Sequence, residues 1–199
     1  IEDYYRTDLH WRQECLPDVA DFLLVSMGIT GNGTGNGKQR ELKTAADNFY
    51  GAYAAASAFR TEPDTIRYYE DSMIASMQVY DYEKKEYVSV YAPERLGETD
   101  DYDFFLWGAR ALLTIENAQS ETDRKLLIFR DSFAGSLAPL LAESYKTTTL
   151  VDLRYVSVSY AMELLSDTSY EDVLFLYSAD SLNNSDSLRI HFPAGKQSE

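Results

Sequence analysis

The stretch KLLIFRDSFAGSLAPLLAESYKTTTLVDLRY, Lys125 to Tyr155, constrains the fold more than any other part of the chain. Lys125 to Phe129 is an apolar run with the length of one buried strand. It stops at Arg130-Asp131-Ser132, with Gly135 just beyond. Leu137, Leu140 and Leu141 then recur at helical spacing. Pro139 has no backbone donor and fits only near a helix start. Ser136 is therefore the expected N-cap, with Pro139 in the first turn. Thr148 to Leu153 reads as a second strand. Strand, tight turn, helix, strand is one βαβ unit. It puts Ser132 at the carboxyl end of a strand, where open α/β sheets place their ligands. A serine there is a candidate nucleophile once a base lies within hydrogen-bond reach. It is also, and more commonly, a turn or capping residue, and spacing alone leaves both readings open.

A chain of 199 residues with 45% hydrophobic and 26% charged residues can bury a sizeable core. The net charge of -15 disfavours nucleic acid and anionic lipid, both of which recruit clustered Lys and Arg. Sixteen tyrosines are many, and exposed aromatic rings often line carbohydrate or peptide surfaces, although most simply pack. Cys15 is the one cysteine, which excludes an intrachain disulfide and a cysteine-based metal site. His10 and His191 are the only histidines, so no metal site and no cofactor are expected. No apolar run approaches the ~20 residues of a membrane span. No secretory leader is recognisable at Ile1, and the chain is expected to be a mature form or a fragment.

In chain order, Ile1 to Trp11 reads as a strand end or loop, followed by the clearest helix. There Leu16, Val19, Ala20, Leu23, Leu24 and Met27 share one face between Pro17 and Gly28. Gly31 to Gly37 is a flexible loop without the Lys-Ser/Thr of a phosphate cradle. Asp47 to Phe59 reads as a short helix or a turn lining a pocket. Met77–Tyr80 and Tyr87–Tyr91 are expected to form a hairpin. Phe104 to Gly108 covers a cleft or packs, and Arg110 to Ile115 is an expected strand. Val156 to Leu165 is expected as a helix with Val158, Ala161, Met162 and Leu165 on one face. Val173 to Tyr177 is expected as a buried strand, and Ala179 to Leu188 as a short helix. The second half is thus β-α-β-α-β. The expected fold is a three-layer α/β/α domain with a mainly parallel sheet over residues 1–192, and a disordered tail over 193–199.

His191 lies near a frayed end, five residues after Asp186. His10 is the better base, with Asp8 two residues before it. On an extended segment such residues point to the same side. The carboxylate would then fix the imidazole, and the imidazole would take the serine proton. The bland readings are a surface or capping Asp8 and a packing His10 beside Trp11.

YYRTDLHW, LLIFRDSFAGSLAPLL and VLFLYSADSLNNS together resemble the DHHW family of bacterial, mostly Gram-positive, surface proteins. That family belongs to the SGNH hydrolase-like group, alongside the periplasmic proteins that acetylate alginate. The likeness runs through Asp47 to Gly51, Ala111 to Asn117, Lys125 to Tyr155 and Asp172 to Ser185. It implies an SGNH-like, flavodoxin-like layout, with Ser132 as nucleophile, His10 as base and Asp8 as orienting acid. It also implies acetyl-ester chemistry on a cell-surface glycan, an extracytoplasmic location, and a membrane anchor and further domain sequence outside this chain. Two positions depart from the group. Leu9 stands where the family has its first histidine, and Arg130 replaces the glycine of the GDS motif. Oxyanion donors are expected among the Ser132 N–H, Gly51 and Asn48, each of which also has a packing reading. Arg130, in the same pocket, is expected to bind a carboxylate or glycan, or to pair with Asp8 or Asp131. Trp11 and Tyr50 are candidate substrate contacts. Two functions stand at this point: a serine esterase or O-acetyltransferase, and a non-catalytic glycan-binding or scaffold protein on the same fold.

Overall fold

The computed structural model describes residues 2–30, 40–57, 61–184, 186 and 188. The Gly31–Gly37 loop, His191 and the tail lie outside them. Six strands form the central sheet: β3 (Gln78–Asp81), β4 (Glu86–Val88), β5 (Leu112–Glu116), β6 (Lys125–Arg130), β7 (Thr147–Val151) and β8 (Asp172–Leu176). We number them after β1 (Glu41–Phe49) and β2 (Asp64–Glu70), which pair antiparallel in a separate two-stranded sheet. The central order is β4-β3-β5-β7-β6-β8.

The expected three-layer α/β/α fold is present, but the sheet is mixed. β6 runs parallel to both β7 and β8, whereas β7–β5, β5–β3 and β3–β4 are antiparallel. The parallel half places the candidate serine. From β6 the chain crosses through α4 (Ala134–Ala142) to β7 on one side, then through α5 (Val158–Leu164) to β8 on the other. α4 packs on one face and α5 on the opposite face. β6 is thus where the winding direction changes, and open α/β sheets gape at the carboxyl ends of such strands. Ser132 stands at that point.

Alternation along β6 builds both cores. Leu126 and Ile128 pack with Leu137, Leu140 and Leu141 of α4 and with Ala20 and Leu24 of α1 (Pro17–Ser26). Leu127 and Phe129 face Val158, Ala161 and Leu165. All of α4 is buried, and each leucine there contributes roughly 1.5–3 kcal/mol by leaving water.

Several local expectations need correction. α4 begins at Ala134, two residues before Ser136, so Ser136 is no N-cap and Pro139 lies inside the helix. Phe133 holds the N-cap position, without a side-chain cap, and Asp131 braces the turn ahead of it, its carboxylate accepting the Phe133 N–H at 3.1 Å and its carbonyl the Ala134 N–H at 3.3 Å. Met162 is exposed rather than buried. β8 is an edge strand, which leaves Val173 and Phe175 exposed although VLFLY has the composition of a buried run. The expected helix over residues 16–27 is α1, with Pro17 at its start and Gly28 just past its end at φ +78°. The expected hairpin is β3–β4, with Val79 opposite Val88. Asp47 to Phe49 belongs to β1, and only Ala52–Ala56 forms the short helix α2.

Candidate active site

Ser132 stands in the turn between β6 and α4. Asp131 holds that turn through its carboxylate. Oδ1 accepts the Phe133 N–H, and Oδ2 accepts the Ser178 N–H and the Ser181 hydroxyl, both at 2.7 Å. The serine turn is thereby tied to the start of the short helix after β8, Ala179–Asn183. Burial alone would raise the Asp131 pKa, but these hydrogen bonds outweigh it and hold the carboxyl below its ordinary range.

His10 and Asp8 arrive from the other end of the chain. His10 Nε2 lies 2.8 Å from Ser132 Oγ, and His10 Nδ1 lies 2.5 Å from Asp8 Oδ1. The local structure is a bend rather than the extended segment expected: Asp8 Oδ1 also accepts the His10 backbone N–H at 2.9 Å. Asp8 Oδ2 accepts the Ala52 N–H from the start of α2 at 2.9 Å. Burial works against the Asp8 carboxylate, but the donors from His10 and Ala52 outweigh it and lower its pKa. An ionised Asp8 keeps the imidazole proton on Nδ1. Nε2 is then free to accept the Ser132 hydroxyl proton.

The Asp8 bend is itself anchored. The Thr7 N–H and hydroxyl donate to Asp64 Oδ2 at 2.8 and 2.7 Å, and the Thr7 carbonyl accepts the Tyr53 N–H at 2.9 Å. These donors outweigh burial at Asp64 and lower its pKa as well. A carboxyl with a folded pKa below its unfolded value stabilises the fold fully above the unfolded value, at about pH 4. That stability disappears as pH falls through the folded value. Asp8, Asp64 and Asp131 all act in this sense, while burial raises Glu14 and Asp100, which oppose them. Asp64→Asn, remote from Ser132, is expected to lower stability at pH 7 by about 1–3 kcal/mol. Its denaturation midpoint should also fall less than that of the parent between about pH 5 and pH 3. Parallel slopes for the two proteins in thermal melts would contradict the assignment.

Two cavities meet at Ser132. The larger, ≈ 540 Å³, is lined by Tyr4, Leu9, Trp11, Tyr53 and Tyr177 among others. The smaller, ≈ 170 Å³, is lined by His10, Tyr102, Gly108, Arg130 and Tyr155 among others. Trp11 is fixed by its indole N–H, which donates to the Phe133 carbonyl at 2.8 Å.

The remaining expected site residues are placed less as foreseen. Gly51 sits behind Asp8, and its N–H donates to Thr7 Oγ1 at 3.2 Å. Asn48 is exposed on β1, lines neither cavity, and makes no hydrogen bond to Asp8, His10 or Ser132. Tyr50 is exposed and outside both cavities; Tyr53, one turn on, lines the larger one instead. Arg130 is fully buried in the wall of the smaller cavity. It bonds to the Asp131 and Arg110 carbonyls rather than to the Asp8 or Asp131 carboxylate, and its Nε has no partner among the described residues. Burial pulls its pKa down, against the Asp152 carboxylate nearby. The Ser132 N–H likewise has no hydrogen-bond partner among the described residues. Tyr102 and Asp131 went unread. Tyr102 lies in the acidic run DYDF, which shows no periodic pattern, and the only signal for Asp131 was its place beside Ser132.

Among the described residues no cluster of three or more His, Cys, Asp or Glu could hold a metal, and no helix is long and apolar enough to cross a membrane.

Fold and geometry define a three-layer α/β/α domain with Asp8, His10 and Ser132 in line at the carboxyl end of its sheet. Solved structures share the layout. One is a DHHW family protein from Eubacterium siraeum, at TM-score 0.77 and 23% identity, over 96% of this chain and 65% of that one. Another is Bacillus cereus PatB1, at TM-score 0.67 and 20% identity, over 90% of this chain and 63% of that one. PatB1 with a sulfonyl adduct matches equally well, at TM-score 0.67 and 19% identity, over 90% of this chain and 62% of that one. At these identities the likeness is one of fold, and the chain spans less than two thirds of each structure's length. The sequence matches no protein-family model and no curated protein.

Proposed function

We propose that the protein is a serine esterase or O-acetyltransferase of the SGNH hydrolase-like group, acting on acetyl esters of a cell-surface glycan. The observation that carries this reading is the line Asp8–His10–Ser132, at 2.5 and 2.8 Å, where two cavities meet. The likeness in fold to a DHHW family protein supports it, and the extracytoplasmic location in the cell envelope is the one the resemblance in sequence implies.

In this mechanism Ser132 Oγ attacks the acyl carbonyl carbon as its proton passes to His10 Nε2. Asp8 stabilises the imidazolium. The ester C–O bond breaks as His10 returns that proton to the leaving oxygen, leaving acyl-Ser132. Water or a sugar hydroxyl then gives a proton to His10 and attacks the acyl carbon, and Ser132 leaves with the proton. The Ser132 N–H and the Arg130 Nε–H are the candidates to stabilise the oxyanion. The larger cavity, with Trp11 and Tyr53 on its wall, would hold the sugar against aromatic faces.

The test is incubation with an aryl acetate followed by intact-mass measurement. A single acetyl group on Ser132 is expected, discharged faster when a glycan acceptor is added. Trp11→Ala is expected to raise the acceptor KM by about 10-fold, the loss of one stacking contact, with little change in water-limited turnover. Glycan binding with no acylated serine would favour the non-catalytic scaffold instead.

A further inference from the structure

We propose that Tyr102 is the positioning residue that keeps His10 aimed at Ser132, an inference that rests on the serine-nucleophile reading above. The Tyr102 ring stacks on the His10 imidazole with centroids 3.8 Å apart and planes 6° from parallel. Phe133 also touches the imidazole, tilted by 50° at 5.1 Å. The Tyr102 hydroxyl is buried and donates to Ser136 Oγ at 2.9 Å. Ser136 lies inside α4, the helix that leaves the Ser132 turn. One side chain therefore grips the base with its ring and holds the nucleophile's helix with its hydroxyl. Its own backbone is fixed by Asp100 Oδ1, which accepts the Tyr102 N–H at 2.9 Å.

The need for such a link follows from the geometry. Asp8 holds one nitrogen of His10, which is a point constraint. The ring can still swing about that contact and carry Nε2 away from Ser132. A parallel neighbour fixes the ring plane, and plane and point together fix where Nε2 points. Base and nucleophile are 122 residues apart in sequence, so no local structure can set their separation. Gln13 supports the same junction: its Nε2 donates to the Ser136 carbonyl at 2.6 Å, tying the His10 segment to the same residue of α4.

The test reads Ser132 reactivity directly, by mass spectrometry of the full chain treated with an arylsulfonyl fluoride. In that step the Ser132 Oγ–S bond forms, the S–F bond breaks, fluoride leaves and the serine proton passes to His10. Tyr102→Leu is expected to react about 30- to 100-fold more slowly, the scale of a misplaced catalytic group. Tyr102→Phe keeps the ring and loses only its anchor, as does Ser136→Ala, and each is expected to be about three- to fivefold slower. Should the leucine variant fail to fold, Tyr102→Met fills the space without an aromatic face, and the same large loss is expected. A residue acting through His10 has nothing left to position once His10 is gone. In a His10→Ala background Tyr102→Leu should therefore add less than about twofold. The inference is overturned if Tyr102→Leu reacts within threefold of the parent while Ser132→Ala is inert, or if its loss persists at full size without His10. If the parent serine takes no sulfonyl group at all, the serine-nucleophile reading fails and this inference falls with it.

Discussion

Ser132→Ala is expected to lower the turnover of a small aryl acetate by about 10⁴-fold or more and to abolish the acetylated intermediate. The size follows from the role. Without Oγ no acyl-enzyme forms, and the reaction falls back to whatever the cavity and oxyanion donors supply to water. A 10⁴-fold loss corresponds to about 5.4 kcal/mol of lost transition-state stabilisation. Folding should hardly change. Ser132 is half-buried, and among the described residues its side chain bonds only to His10. Losing one half-exposed hydrogen bond costs about 0.5 kcal/mol, the low end of the usual range. The two scales are far enough apart for one experiment to separate them: a melt that overlays the parent beside turnover that is nearly gone. Full turnover by Ser132→Ala would remove the mechanism. Unchanged glycan binding with no turnover in either protein would leave the scaffold reading standing.

The parts of this site legible in the sequence are those whose chemistry is local. Ser132 follows an apolar strand and precedes a helix, and that pattern alone put it at a strand's carboxyl end. Asp8 and His10 were paired by spacing, although a bend brings them together and not the extended chain. What the sequence hid is set by contacts between distant segments. Tyr102 matters because its ring meets His10 across 92 positions, a contact that no periodicity encodes. Tyr50 and Tyr53 sit in the same aromatic turn, and only the start of α2 decides which one faces the cavity. β1 reads ELKTAADNF, too polar and too rich in alanine to signal a strand; its pairing with β2 makes it one. Strand direction was illegible for a related reason. A short apolar run such as Arg110 to Ile115 looks the same up or down, so the antiparallel pairing of β5 with β7 could not be read. Val173 and Phe175 are apolar yet exposed because β8 falls at the sheet edge, a property of strand order and not of composition.

Gly51 stands out in the sequence as a glycine in an aromatic turn, its contact with Asp8 does not, and its substitution carries the second large effect. Gly51→Ala is expected to lower kcat by about 10²- to 10⁴-fold, approaching the loss seen when an orienting carboxylate stops holding its histidine. Its backbone sits at φ -79°, open to any residue, so the effect is not strain. The cause is contact: an added Cβ would stand 2.2 Å from Asp8 Cβ and 2.4 Å from Asp8 Oδ2. Asp8 cannot yield without consequence. Its Oδ1 holds the His10 ring and backbone N–H, and its Oδ2 holds the Ala52 N–H. Either the carboxylate leaves His10 or the start of α2 moves away and Asp8 loses a donor that keeps it ionised. Gly28 supplies the control. It has φ +78° and open space around its Cβ position. Gly28→Ala should therefore cost about 1 kcal/mol of stability through backbone strain alone and leave turnover unchanged. Measured side by side, kcat should fall only in Gly51→Ala. Parental turnover in that variant would mean that Asp8 does not orient the base, whatever its distance from His10.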